Sequence, residues 1–292
     1  MLNRKIDNEI DAHFSNSKKA LFLTGARQVG KTYSIRKYAK LHGLNLIEFN
    51  FLLQPEAMDI INGAGDVKEL LLRISAYSRV PLVRSKTLIF FDEVQECPDV
   101  MTWVKALVDE GSYIYALSGS LLGVELKDIR SVPVGYMSEM QVYPMDFEEF
   151  VSAVGVPENV LDAVKKSWSE KTLVDAYIHE KMMQLFQLYI IVGGMPAAVQ
   201  TYIDSNNIQN VVKEQRDIIN LYKKDIARYD KDVRKKLYIN EVFDLIPSEL
   251  NAKNKRFILK RLNENMTFGR HENDFIWLKD ADMALPTYNV EE

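Results

Sequence analysis

Lys19-Ala-Leu-Phe-Leu-Thr-Gly-Ala-Arg-Gln-Val-Gly-Lys-Thr32 decides the fold of this 292-residue chain. Residues 20–23 are a short apolar run suited to a buried strand. Residues 25–32 then fit G-x-x-x-x-G-K-[ST], the phosphate-binding loop. Gly25 and Gly30 let the backbone turn tightly enough for successive N–H groups to face a pyrophosphate. Lys31 puts a point charge on the β- and γ-phosphates, and the Thr32 hydroxyl is a Mg²⁺ ligand. From Lys31 the spacing predicts a helix whose positive end faces the phosphates. The expected nucleotide contacts are therefore Gly25, Ala26, Arg27, Gln28, Val29, Gly30, Lys31, Thr32 and Tyr33.

Outward from this loop, Asn45–Phe49 reads as a second strand, and Asp66–Ser78, with Val67, Leu70, Leu71 and Ile74 at helical spacing, as a crossover helix. Upstream, Ile6, Ile10 and Phe14 predict an amphipathic helix at the sheet edge. Thr87-Leu-Ile-Phe-Phe-Asp-Glu-Val-Gln95 is an apolar strand ending in two carboxylates, the form of a Walker B segment. Asp92 is placed to hold the Mg²⁺ shell and Glu93 to orient and deprotonate the attacking water. The alternative, an acidic turn capping a helix, loses weight because ligands in open α/β sheets bind at the carboxyl ends of strands.

Residues 98–110 read as a helix with Trp103, Leu107 and Val104 inward. Residues 112–117 read as a strand ending in Ser118-Gly119-Ser120, where a hydroxyl from either serine would sit beside the γ-phosphate and sense it; a plain Ser/Gly turn is the alternative. Residues 132–142 are a further extended stretch, and Asp146 with Glu149 forms a capping box. Strand–helix alternation to residue 143 argues an α/β fold with a parallel sheet.

From residue 146 the pattern is helical, broken at Pro157 and at Gly193-Gly-Met-Pro196. That second break is either a structural turn or a contact coupling nucleotide to the next domain. Residues 213–261 hold 14 Lys and Arg against 8 Asp and Glu, a local +6 in a chain of net −4. This suggests an anionic partner, DNA, or else a protein docking surface; a solvated helix face is the plain alternative. Residues 251–261 would be a recognition helix and Phe275-Ile-Trp-Leu278 part of a winged helix-turn-helix. The domains expected are 1–145, a P-loop domain; 146–212, a helical lid; and 213–292, a basic winged-helix-like domain.

Apolar residues make up 47% of the chain, enough for a sizeable core. Cys97 is the single cysteine, so no internal disulfide forms, which agrees with a cytoplasmic setting. The N-terminus has no apolar signal region, and no run approaches the length of a membrane span. The four histidines and Cys97 lack metal-ligand spacing.

Together these motifs resemble the prokaryotic AAA-type P-loop ATPases of the AAA_14 family whose C-terminal part is the domain of unknown function DUF4143. The pieces are Gly25–Thr32, residues 89–95, Leu117–Ser120, Pro133-Val-Gly135, Tyr143-Pro-Met-Asp-Phe-Glu-Glu-Phe150, Gly193–Pro196, Tyr222-Lys-Lys-Asp225 and Ile246–Leu250. The resemblance implies an AAA-like parallel sheet followed by a helical lid and a winged-helix-like domain. It implies ATP as ligand and Mg-dependent hydrolysis, with Glu93, Lys31 and Ser120 as catalytic residues and Thr32 and Asp92 as metal ligands. It leaves oligomer formation open. Tyr136 departs from the basic residue that usually follows Pro-Val-Gly, with Arg130 nearby as a substitute, so turnover is expected to be slow. Members usually continue into a nuclease-like domain, and a shortened chain is expected where this one stops at Tyr288-Asn-Val-Glu-Glu292. The rival reading is a nucleotide-gated DNA- or protein-binding switch with little turnover.

Overall fold

The structure, a computed structural model, describes residues 2–120, 135–229, 233–251, 268–285 and 287. Its centre is a five-stranded, all-parallel sheet: β1 (Ala20–Thr24), β2 (Asn45–Asn50), β3 (Thr87–Asp92), β4 (Ile114–Ser118) and β5 (Met137–Gln141). The spatial order is β2-β3-β4-β1-β5. β4 thus lies between the strand that leads into the phosphate loop and the strand that carries Asp92, as expected from the serine-tipped segment. The observed strand starts two residues later than read, at Ile114 rather than Ser112.

Strand alternation sends the two faces of this sheet into two cores. Ala20, Phe22, Ile89, Phe91 and Leu117 pack with Leu70 and Ile74 of α4 (Val67–Tyr77) and with Val100, Met101, Val104 and Leu107 of α5 (Val100–Glu110). In α5 the inward positions include Val104, while Trp103, expected inward, lies at the margin. Leu21, Leu23, Leu88, Phe90 and Ala116 pack on the other face with Ile35 of α2 (Lys31–Leu41) and with Ile6 and Ile10 of α1 (Lys5–Asn16). α1 therefore covers a face, beside α2, rather than the edge. The short α3 (Met58–Asn62) follows β2.

The capping box at α6 (Phe147–Ala153) is present: Asp146 accepts from the Glu149 N–H at 2.8 Å, and Glu149 accepts from the Asp146 N–H at 3.0 Å. α6 packs with α7 (Glu158–Glu170), α8 (Ala176–Val192) and α9 (Pro196–Ser205) around Met145, Phe150, Val151, Val192, Ala198 and Val199. The turn between α8 and α9 folds Gly194 against Met145, whose N–H donates to the Gly194 carbonyl at 2.7 Å. A Cβ on Gly194 would stand 2.1 Å from the Met145 carbonyl oxygen, so only glycine fits there.

Three more helices are described: α10 (Ile208–Tyr229), α11 (Val233–Leu250) and α12 (Phe268–Asp280). Ile226, Ile239, Val242, Trp277, Leu278 and Ala281 form their core. Residues 275–278, expected in a winged motif, are helical. Trp277 and Leu278, with Ala281 just past the helix end, are buried in this core. The expected recognition helix at 251–261 lies, beyond Asn251, outside the described residues, as does Arg130. Among the described residues no single helix is long and apolar enough to cross a membrane.

Candidate functional site

The carboxyl ends of β1, β3 and β4 meet at one place, and the phosphate loop wraps it. Gly25 has φ +133°, and a Cβ there would lie 2.3 Å from the Val142 carbonyl oxygen, so glycine is required by both backbone angle and close approach. Gly30, φ +103°, opens α2. Ala26 and Val29 turn their side chains into the core, which leaves their backbone to line the loop. Gln28, at φ 65°, and Tyr33 are exposed.

Lys31 is buried and donates to the carbonyls of Gly25 at 2.7 Å and Ala26 at 2.8 Å. Burial pushes its amine down to about 8; the carboxylates of Glu93, Asp92 and Asp282 act in the opposite direction. Asp92, also buried, closes β3. Its Oδ2 accepts from Thr32 Oγ1 at 3.0 Å and from Asn50 Nδ2 at 2.8 Å, and its Oδ1 accepts from Ser118 Oγ. Burial raises this carboxyl above its ordinary value, and the Ser118 and Thr32 hydroxyls counter that shift. Asn50 reaches it because β2 and β3 register Asn50 beside Asp92.

Glu93 leaves β3 in the left-handed region, φ 58°, which a non-glycine residue rarely adopts. Its Oε2 accepts from Gln95 Nε2 at 2.6 Å and from Ser120 Oγ at 3.1 Å. The Ser120 N–H donates to Gln95 Oε1 at 3.3 Å. The expected set of Lys31, Thr32, Asp92, Glu93 and Ser120 is thus brought together. Ser118, the other serine of the tip, binds Asp92, while Ser120 binds Glu93.

Sequence reasoning missed several neighbours. Asn50 and Gln95 are single polar residues without a motif of their own. Arg4 donates to Val29 O at 2.8 Å, Tyr143 O at 2.7 Å and Glu149 Oε1 at 3.0 Å, tying the loop to the tyrosine-proline box. Pro196 and Arg4 flank Gly30, so the turn before α9 reaches the loop as well as packing on Met145. Asp282, beyond α12, accepts from Gln141 Nε2 at 2.6 Å, and burial raises its carboxyl against the pull of Lys31. The Tyr222 hydroxyl donates to the Arg27 carbonyl at 3.0 Å, and Asp225 pairs with the Arg27 guanidinium at 2.5 Å. A separate cleft of about 430 Å³ lies between α1 and α2, lined by Asp7, Ser34, Lys37, Tyr38 and His42, away from these carboxylates.

Cys97 is buried, and its thiol is pushed up to about 11 by desolvation, the state of an inert core cysteine. His13 bonds the Lys19 carbonyl and His42 pairs with Asp11 at 2.7 Å. Among the described residues no cluster of three or more His, Cys, Asp or Glu could hold a metal. A nucleotide-borne Mg²⁺ needs no such cluster. Thr32 and Asp92 bring a hydroxyl and a carboxylate, oxygen donors of the hard type that suits such an ion, within 3.0 Å of each other.

Residues 17–151 match the AAA domain family AAA_14. Residues 183–292 match DUF8612, a domain of unknown function, where the sequence resemblance had implied DUF4143. No curated protein matches the chain. Among solved structures it is similar to the Walker-type ATPase PABY2304 of Pyrococcus abyssi, at 15% identity over 96% of this chain and 90% of that one, TM-score 0.54. It also aligns with AMPPCP-bound DnaA from Aquifex aeolicus, at 11% identity over 96% and 93%, TM-score 0.41. A third alignment is with the Aeropyrum pernix ORC1 protein in complex with DNA, at 16% over 96% and 83%, TM-score 0.37. The first likeness is one of fold; the other two are too distant to bear on this chain's ligands.

Proposed function

We propose, with residues 17–151 as an AAA-type P-loop ATPase domain for premise, that this chain binds ATP and hydrolyses it with Mg²⁺. The observation that carries the reading is the convergence of Lys31, Thr32, Asp92 and Glu93 beyond the carboxyl ends of β1 and β3, the two strands that flank β4, with Thr32 and Asp92 in direct contact at 3.0 Å. Backbone N–H groups of residues 25–30 and the Lys31 ammonium would bind the phosphates, and the start of α2 favours their charge. Thr32 and Asp92 would hold Mg²⁺, which supplies charge neutralisation between the β- and γ-phosphates. Glu93 is the general base for the attacking water. Ser120 and Gln95 aim its carboxylate across the tip of β4. The surrounding lid at 146–212 and the C-terminal helices at 213–292 would move with nucleotide state.

The test is ATP hydrolysis by the purified chain with Mg²⁺, compared with Lys31→Ala and Glu93→Gln. Expected is loss of binding in the first and retained binding with turnover reduced about 10²–10⁴-fold in the second. Equal turnover in the wild type and Glu93→Gln would remove Glu93 from the mechanism.

A second reading, a nucleotide-gated switch with little turnover, draws on Tyr136, an aromatic residue under Lys105 where a basic residue was expected. Its partner would be DNA or a protein docking on residues 213–261. Within that segment Arg228 is paired with Glu96 outside it, while Lys223 is paired with Asp244, an acid already counted in the +6. DNA affinity that falls steeply with salt would support this reading, and salt-insensitive binding would point to a protein partner.

A further inference from the structure

Helix α10 touches both nucleotide motifs with one face. Tyr222 bonds the Arg27 carbonyl, Asp225 pairs with the Arg27 guanidinium, and Arg228 pairs with Glu96 at 2.8 Å, in the turn after Glu93. Ile218, Tyr222 and Ile226, at helical spacing, bury the helix from the phosphate-loop core to the C-terminal core. Arg27 stands inside the phosphate loop, where an incoming triphosphate places its charge, and lies within electrostatic reach of Lys31. Its side chain is nevertheless turned away from the loop interior, onto α10. Asp225 is 3% exposed, and its second oxygen, Oδ2, is buried without a hydrogen-bond partner among the described residues. Its charge is balanced chiefly by Arg27, which bonds one of its oxygens, with Arg228 adding a weaker attraction. A buried carboxylate in that state responds strongly to any displacement of its cation.

We propose that Tyr222 and Asp225 are positioning residues that grip the phosphate loop at Arg27, and that α10 thereby reads whether phosphate is bound. Phosphates in the loop compete with Asp225 for the Arg27 guanidinium. As Arg27 shifts toward them, Asp225 loses its principal counter-charge and α10 repacks. Ile226 carries the change to α11 and α12, which it meets through Ile239, Val242 and Trp277. The coupling is reciprocal: whatever fixes α10 changes the affinity of the loop for nucleotide by the same factor.

The inference rests on ATP binding by the loop, and the test separates the two. Nucleotide affinity is measured by titration with Mg·ATP, and amide hydrogen exchange across residues 208–229 is followed with and without saturating Mg·ATP. In the full chain, exchange over 218–228 is expected to speed by about fivefold when nucleotide binds. In Asp225→Asn and Tyr222→Phe that response is expected to vanish, while each variant still binds Mg·ATP. Arg27→Lys, which keeps the charge, is expected to retain part of it. Tyr222→Phe removes a single hydroxyl and carries the test should Asp225→Asn fail to fold. A wild type that binds nucleotide with no change in α10 exchange overturns the coupling alone. So does a response that survives in both variants, since a purely structural grip would leave it intact. A wild type that binds no nucleotide overturns the proposed function and the coupling with it.

Discussion

Nucleotide affinity is expected to fall as pH rises from 7 to 9, which is unusual for a lysine-dependent site. Lys31 is buried against its own loop, and desolvation holds its amine at about 8, whereas an ordinary lysine titrates at 10.5. Phosphate binding requires the ammonium form, so binding above this value must take up a proton. A group titrating at about 8 is roughly 90% charged at pH 7 and roughly 10% charged at pH 9. The dissociation constant for Mg·ATP should therefore weaken about tenfold over that interval, the equivalent of ~1.4 kcal/mol. With a pKa of 10.5 the same interval would change affinity by only a few per cent. The phosphate groups themselves titrate near pH ~6 and do not interfere. Isothermal titration at pH 7, 8 and 9 reads both the affinity and, from buffers of different ionisation heat, the proton taken up. Lys31→Arg, always charged, should bind more weakly but with a flat profile. A wild-type affinity that is constant from pH 7 to 9 would refute the claim that burial dominates the Lys31 environment.

Three further outcomes follow from single contacts. Ser118→Ala removes a donor to Asp92 and lets burial raise that carboxyl further; the Mg²⁺ concentration for half-maximal turnover should rise about tenfold, the range expected when a ligand loses an outer partner. Arg4→Ala strands the buried Glu149 carboxylate, which costs about 3–5 kcal/mol and should lower the melting temperature by on the order of 10 °C, measured by thermal unfolding; an unchanged midpoint would show that the ion pair is dispensable. Gly194→Ala forces a Cβ to 2.1 Å from the Met145 carbonyl oxygen, so the turn before α9 must open, at a cost of ~1–3 kcal/mol seen in the same assay.

The parts of the site that were legible in advance are those whose chemistry is local in sequence. Gly25 to Thr32 carries its own backbone demands, met by φ +133° at Gly25 and +103° at Gly30. Asp92 and Glu93 end an apolar run, so their place at a strand tip could be read from hydrophobicity alone. Asn50 and Gln95 carry no such mark. Each is one polar residue whose role depends on which strand lies beside β3, and that adjacency is set by sheet order. Arg4 is further from view still, because its partner Glu149 is 145 residues away.

The packing of the helices depends in the same way on elements distant in sequence. In α5 Val104 and Leu107 are buried as expected, and Trp103 packs at the margin of the same core. In the C-terminal helices Trp277 and Leu278 pack with Ile239 and Val242, more than thirty residues upstream. The same logic bears on the basic segment. Its +6 charge suggested an external anion, yet Arg228 meets Glu96 outside the segment, and α10 turns Tyr222 and Asp225 onto Arg27 of the phosphate loop. Residues far away in sequence, Arg27 and Glu96, already serve as partners to this segment. Local net charge records which charges are near in sequence; it says nothing of which have been neutralised from a distance. The segment's position across both nucleotide motifs is therefore the firmer guide to its role, and it makes α10 a sensor of the phosphate loop before it is a surface for anything else.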